Sequence, residues 1–364
     1  MQRTTATLTL TLLLTASAST VASPESDGGT ADDIILSAGG ALSLRLSPST
    51  LAYRVYVGPG TRPSESEGRS EGEPEAEAAW FDSGAGAADG GYSFSTGGAV
   101  HSLDRKGLSP LGPPARGRGT DAAGAFTSVA IHFAAAGTTE AEWVATFKAY
   151  AERPAIVFAQ KWLKAVPAAL GGSTFPSLHV GAAAAASARQ LGTLEYTGAS
   201  CGFMVGAQGE FPGIKGGPDK GYIVIAPRDA AGAGASATLA IGPVTEHFAN
   251  QARNQNSSLV YGLAPTFETV PAGYELETVL VASTAVRQAA APRATAPARA
   301  SIPSGGVNGA LMEFGDFLLA KHNKTRAQGD HKPETQYIGY STTAYYFCEC
   351  LAHSRIGICH NNTH

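Results

Sequence analysis

Short apolar stretches, each cut off by glycine or proline within about a dozen residues, constrain this chain more than any other feature. Between Ala41 and Ser47, Leu42, Leu44 and Leu46 alternate with Ser43 and Arg45; from Leu51 onward the apolar set is Leu51, Tyr53, Val55 and Val57. A period of two places one set of side chains on one face of a strand and the other set on the opposite face. The Ser47-Pro48-Ser49 between them is turn chemistry, so the pair reads as two half-buried strands. Further strands are predicted at Ala79–Asp82, Tyr92–Ser95 and Phe126–Phe133. Trp143–Tyr150 and Ala155–Leu163 flank Ala-Glu-Arg-Pro and predict a hairpin, with Pro154 in the turn where its missing N–H does no harm. Five more short apolar runs follow between Cys201 and Ser283. Residues 110–124, rich in Gly, Pro and Arg, predict a loop in which Gly117 and Gly119 are turn glycines. The sum is a large β-sandwich, and the lack of a repeat period argues against a propeller or solenoid.

With 364 residues, 43% hydrophobic and 15% charged, the chain has apolar surface enough for one large domain or two ordinary ones. A net charge of −4 without any Lys/Arg block is too weak to imply a nucleic-acid or membrane-surface partner, and no nucleic-acid partner is expected. The polar insertion between Gly58 and Ala79 carries Glu65, Glu67, Glu71, Glu73, Glu75 and Glu77. It lacks the Asn/Asp/Gly spacing of a calcium loop and reads as solvated.

Arg3, the apolar run Leu8–Leu14 and the small residues up to Ser23 have the order of a secretory signal, placed at residues 1–22. The run is too short to span a bilayer. No later run is long enough either, so no membrane span is expected after signal removal, and the expected location is secreted or lumenal. The sequons at Asn256, Asn323 and Asn361 fit that compartment. Of the four cysteines, Cys350 and Cys359 form the simplest disulfide, which leaves Cys201 and Cys348 unassigned. A zinc site from Cys348, Cys350, Cys359 and His360 lacks the usual spacing. No metal or cofactor is expected.

At Arg287 the texture changes to an Ala/Pro-rich linker, residues 287–304, which closes a sandwich domain at 30–286. Beyond it Val307, Leu311, Phe314 and Leu318 mark one apolar face of a helix ending in Lys321, His322 and Lys324. An aromatic run, Tyr337–Phe347, then reads as one buried strand, followed by an irregular tail at 348–364. Standard catalytic signatures are absent: no Gly-x-Ser-x-Gly elbow, phosphate-binding loop or His-Glu-x-x-His. His132 and His179, on predicted strands, read as structural.

Four pieces taken in order carry a resemblance: the Ala151–Leu163 strand pair, the stretch Val224–Gln251, the helix Gly309–Arg326 and the strand Tyr337–Phe347. Together they resemble the front half of the α-galactosidase and raffinose synthase type of glycoside hydrolase, over roughly residues 140–347. The resemblance implies a β-sandwich leading into a (β/α)8 barrel, of which a helix and the first strand (305–347) are present. In a longer form it implies hydrolysis or transfer of α-linked sugars by double displacement. The family's paired carboxylates lie on later strands, and a barrel needs about 250 residues, far more than follow position 304. The chain is therefore expected to be a fragment that brings no catalytic residues of its own. Where the family places an acidic or amide residue against sugar hydroxyls, this chain has Ser341, Thr342 and Thr343. With Tyr340 and Tyr345 for stacking, these are the candidate substrate contacts; their own composition favours the interior of a buried parallel strand. The alternative is a stand-alone carbohydrate-binding or structural extracellular sandwich, which predicts an exposed aromatic strip with Trp80, Trp143 and Trp162 as candidates. Since an unpaired barrel strand invites aggregation, removal of residues beyond about 304 is expected to raise solubility.

Overall fold

The computed structural model describes residues 33–58, 79–83, 91–96, 98–105, 107–167, 172–180, 191–198, 204–214, 220–227, 237–247, 249–255, 257–265, 267–283 and 306–325. In chain order the strands begin β1 (Ile34–Ala38), β2 (Leu42–Leu46), β3 (Tyr53–Val57), β4 (Phe81–Asp82), β5 (Ser93–Thr96), β6 (Ala99–Ser102), β7 (Leu108–Pro110) and β8 (Ala115–Asp121). They continue with β9 (Gly124–Ala135), β10 (Trp143–Tyr150), β11 (Ala155–Trp162), β12 (Val166–Pro167), β13 (Ser173–Thr174), β14 (Ser177–Val180) and β15 (Leu191–Gly198). The last are β16 (Met204–Glu210), β17 (Lys220–Pro227), β18 (Thr238–Pro243), β19 (Asn250–Gln255), β20 (Ser258–Leu263), β21 (Thr269–Val270) and β22 (Glu275–Ser283), before a helix α1 (Gly306–Lys321).

Two large open sheets face each other. A seven-stranded sheet has the order β1-β2-β3-β4-β14-β20-β19, and a ten-stranded one runs β16-β15-β17-β18-β22-β11-β10-β9-β7 with β8 added on β9. Two small sheets, β13-β5-β6 and β12-β21, complete the set. The alternation read in the sequence decides which residues point inward. Leu42, Leu44, Leu46, Tyr53, Val55 and Val57 are all buried, while Arg54 on the same strand as Tyr53 is exposed. The predicted hairpin is β10–β11, in register from Trp143 opposite Trp162 to Ala149 opposite Ile156.

Between the sheets lies an aromatic cluster built around Tyr53, whose ring meets Phe147 edge-on at 5.1 Å, Tyr92 at 5.8 Å and Phe175 at 6.2 Å. Its hydroxyl donates to the Ser177 carbonyl at 2.8 Å and accepts from the Ser177 N–H at 2.7 Å. That bond closes a gap in the sheet. Strand β4 pairs with β14 only at His179 and Val180, so the Tyr53 hydroxyl serves both backbone groups of Ser177 in a dry interior. Gly39 ties the sheets at one corner. It has φ +54°, and a side chain there would sit 2.3 Å from the Pro154 nitrogen in the β10–β11 turn.

A second apolar cluster occupies the outer face of the ten-stranded sheet, under α1. Ala310, Phe314 and Phe317 pack on Tyr150, Val224, Ala240, Val244 and Val279. The spacing of those three helix residues is one face of an α-helix. Phe317 lies edge-on to Tyr150 at 5.1 Å and Phe314 lies 5.5 Å from Tyr222. Gly242 allows the approach, because a Cβ there would stand 2.8 Å from the Phe314 ring. Burying two Phe rings contributes about 2–3 kcal/mol each. The helix stops at Asn323, whose φ of +54° with bonds from Asn323 N to Ala320 O and from Lys324 N to Leu319 O forms a Schellman cap.

Several expectations need correction. Residues 115–121 are a strand, not a loop, and Gly117 and Gly119 lie within β8. Pairing with β9 supplies a ladder that the local composition does not announce. Of the predicted stripe, Phe314 is buried while Val307, Leu311 and Leu318 are only partly buried flanks; Ala310 and Phe317 complete the centre of the buried face. Trp80, Trp143 and Trp162 are 3%, 0% and 1% exposed and form no surface strip. The wide area of an indole is core material in a sandwich this thick. The signal segment 1–22, the linker 287–304, the strand Tyr337–Phe347 and the tail lie outside the described residues.

Candidate functional site

Where the C-terminal end of α1 meets the ten-stranded sheet, a charged cleft of about 400 Å³ opens. It is lined by Thr120, Asp121, Phe126, Lys148, Thr245, Glu275, Glu277 and Lys321. Strand parity explains the gathering. Lys148 alternates with the inward Phe147, and Glu277 belongs to the same outward set as Val279 and Val281. The β8–β9 turn brings Asp121 to the rim, and Lys321 comes from the last helical turn, where a cation also suits the helix dipole.

The charges interlock. Lys321 contacts Asp121 at 2.8 Å and Glu277 at 3.0 Å; Lys148 contacts Glu277 at 2.5 Å and Glu275 at 3.6 Å. Tyr150 donates its hydroxyl to Asp121 at 2.8 Å. The Glu277 N–H donates to Thr245 at 2.9 Å, and His322 donates from Nε2 to the Val244 carbonyl at 3.0 Å. The Glu277 side chain is only 5% exposed. Burial pushes both acids up, but the ammonium groups of Lys148 and Lys321 outweigh it for Glu277. For Asp121, hydrogen bonds from Lys321 and Tyr150 do the same. Both carboxyls end below their ordinary values. Burial would lower Lys321, yet the two carboxylates hold it above its ordinary value. Tyr150 is raised by burial and by Asp121.

The contacts to one ammonium keep the Asp121 and Glu277 oxygens within about 6 Å of each other, a bound that admits the ~5–5.5 Å of a retaining glycosidase pair. The chemistry does not follow the distance. A general acid must hold a proton near neutral pH, which requires a raised pKa, and both groups here are depressed. The cluster is built as a clamp between helix and sheet.

Candidate substrate contacts Tyr340, Ser341, Thr342, Thr343 and Tyr345 lie outside the described residues, as do Cys350 and Cys359 and the sequon residues Asn256 and Asn361. Asn323 is described: it is the exposed αL residue that caps α1. Among the described residues, no group of three or more His, Cys, Asp and Glu is arranged to hold a metal ion, and no helix is long and apolar enough to cross a membrane. Sequence reasoning missed the clamp. Asp121, Lys148, Glu277 and Lys321 share no motif, and only Lys321, at the predicted end of the helix, was legible.

No protein-family model matches this sequence, and no curated protein matches it. Among solved structures the chain is similar to a glycoside hydrolase family 97 enzyme from Pseudoalteromonas sp. strain K8, with a TM-score of 0.39 and 9% identity over 68% of this chain and 35% of that one. It is similar to the alpha-N-acetylgalactosaminidase NagBb from Bifidobacterium bifidum at a TM-score of 0.41 and 9% identity, covering 68% and 36% of the two chains. The family 36 alpha-galactosidase AgaA from Geobacillus stearothermophilus aligns at 0.40 and 12% identity, covering 70% and 41%. The aligned region spans well under half of each enzyme.

Proposed function

We propose that this chain is the non-catalytic β-sandwich module of a secreted α-galactosidase-type glycoside hydrolase, with α1 leading into the catalytic barrel of a longer form. The carrying observation is the docking of α1. A helix that follows the linker buries Phe314 and Phe317 on the sandwich and is pinned at its end by Lys321. A module that must hold a barrel in a fixed position needs such a rigid junction. The four-piece resemblance supports the family, and the depressed Asp121 and Glu277 support the absence of catalysis by the clamp. Secretion, the disulfide Cys350–Cys359 and glycan attachment at Asn256, Asn323 and Asn361 belong to the same proposal.

The test is hydrolysis of an aryl α-galactoside by the purified full chain, beside Asp121→Asn and Glu277→Gln. The expected result is no turnover by any of the three. Turnover by the wild-type chain that either substitution abolishes would overturn the reading.

A further inference from the structure

The seven-stranded sheet has an outer face that the clamp does not touch. Residues standing directly opposite one another form a single row across it: Ile35 on β1, Arg45 on β2, Arg54 on β3, Asp82 on β4 and His179 on β14, with the buried Ser258 of β20 next in register. Their neighbours along each strand, Leu44, Val55, Phe81 and Leu178, are core residues, so the row points the other way. Arg54 and Ile35 are exposed, and Arg45, Asp82 and His179 are partly so.

One pair in the row is energetically odd. Arg45 and Arg54 are cross-strand partners, and like charges directly opposite destabilise a sheet; Asp82, opposite Arg54 on its other side, offsets part of that charge and leaves Arg45 without a facing carboxylate. Among the described residues neither arginine makes an ion pair. Arg45 lies over the Tyr56 ring with its guanidinium carbon 4.5 Å from the centroid, and its Nε is buried without a hydrogen-bond acceptor. The stacking fixes the guanidinium plane against an aromatic platform. Further along, His179 places Nδ1 3.1 Å from the Ser257 carbonyl. That contact requires Nδ1–H as donor, which leaves Nε2 of the neutral ring as an acceptor.

We infer that this row binds a carboxylate-bearing polysaccharide of the uronic-acid class; the inference rests on the carbohydrate reading above. Two adjacent guanidinium groups match a carboxylate, which supplies Arg45 with the counter-charge that Asp82 gives only to Arg54. The His179 Nε2 accepts from a sugar hydroxyl, a role that a bare phosphate or sulfate could not use. At ~4.8 Å per strand the row from β2 to β14 spans about 14 Å, the length of a short run of pyranose rings.

The experiment is affinity electrophoresis of the full chain in gels containing polygalacturonate, neutral galactomannan or dextran sulfate. Arg45→Gln and Arg54→Gln are compared with Arg118→Gln, which changes an exposed arginine of β8, and thermal melts confirm that each variant is folded. Polygalacturonate is expected to retain the wild-type chain, more weakly at higher salt. Arg54→Gln and Arg45→Gln each reduce the affinity about tenfold, while Arg118→Gln does not. The inference is overturned if Arg54→Gln binds like wild type, if Arg118→Gln loses as much, or if dextran sulfate retains the wild-type chain equally well. It also fails if binding emerges only after residues 60–78 are deleted, because the face then belongs to the chain's own glutamates. Retention by galactomannan alone would sink the uronate inference and leave the glycan reading standing; the hydrolysis assay judges the module reading separately.

Discussion

Lys321 in the last turn of α1 and Glu277 near the start of β22 lie 3.0 Å apart, although 44 residues separate them in the chain. Their contact joins the C-terminal end of the helix to the middle of the ten-stranded sheet. Removing one partner of a buried pair strands the other. Glu277 keeps Lys148, so the loss is partial: Lys321→Met is expected to cost about 2 kcal/mol, read as a lower urea midpoint. A cycle with Asp121→Asn should show the two losses to be less than additive. Full additivity would mean that the clamp does not couple them.

The same cluster sets a pH dependence. Asp121 and Glu277 are held below their ordinary 3.8 and 4.5. The unfolded chain then binds more protons, so their stabilisation is complete above about pH 5 and lost as pH falls through the folded values. Lys321 is held above 10.5; its part is complete below that value and lost as pH climbs past it. His247 is held below 6.5, first by burial and then by His322. It adds a shallow loss as pH falls through 6.5. The thermal midpoint should therefore be flat from about pH 7 to about pH 10, dip slightly near 6 and drop below about 5. Lys321→Met should flatten the acid limb, and an unchanged acid limb would count against the clamp.

Truncation before Gly306 removes the cover from Tyr150, Val224, Ala240, Val244 and Val279. The apolar face so exposed acts against the solubility gain expected from removing residues beyond about 304. The shortened chain is expected to bind a hydrophobic dye and to precipitate more readily than the full chain. Within the full chain Phe314→Ala should cost about 3 kcal/mol by denaturant titration. A truncated chain that stays soluble and dye-negative would show that α1 is dispensable.

Tyr53→Phe removes one oxygen and leaves both the N–H and the carbonyl of Ser177 without their bond. Apolar volume hardly changes, so the cost is that of two unpaired buried groups, about 2 kcal/mol. Tyr92→Phe is the comparison. It loses only the bond to the Leu51 carbonyl and should cost about half as much by the same titration. Equal costs would deny Tyr53 its role as a bridge across the short β4.

What was legible came from short-range regularity. The period of two sent Leu44 and Val55 inward and Arg45 and Arg54 outward, and Pro154 marked the β10–β11 turn, because these follow from the backbone of a strand and a ring without an N–H. Strand β8 was missed for the complementary reason: Arg116 to Gly119 carry no apolar alternation, and only hydrogen bonds to β9 make that segment a strand.

By itself the sequence determined that this chain is a β-sandwich followed by an amphipathic helix, since alternation and helical spacing are local properties of the chain. Only the tertiary structure decided where that helix sits, that the three tryptophans are core, and which acids and bases meet. Those outcomes depend on strand order: β8, β10 and β22 come together through pairings between residues far apart in the chain. No local pattern encodes which strand will be the neighbour.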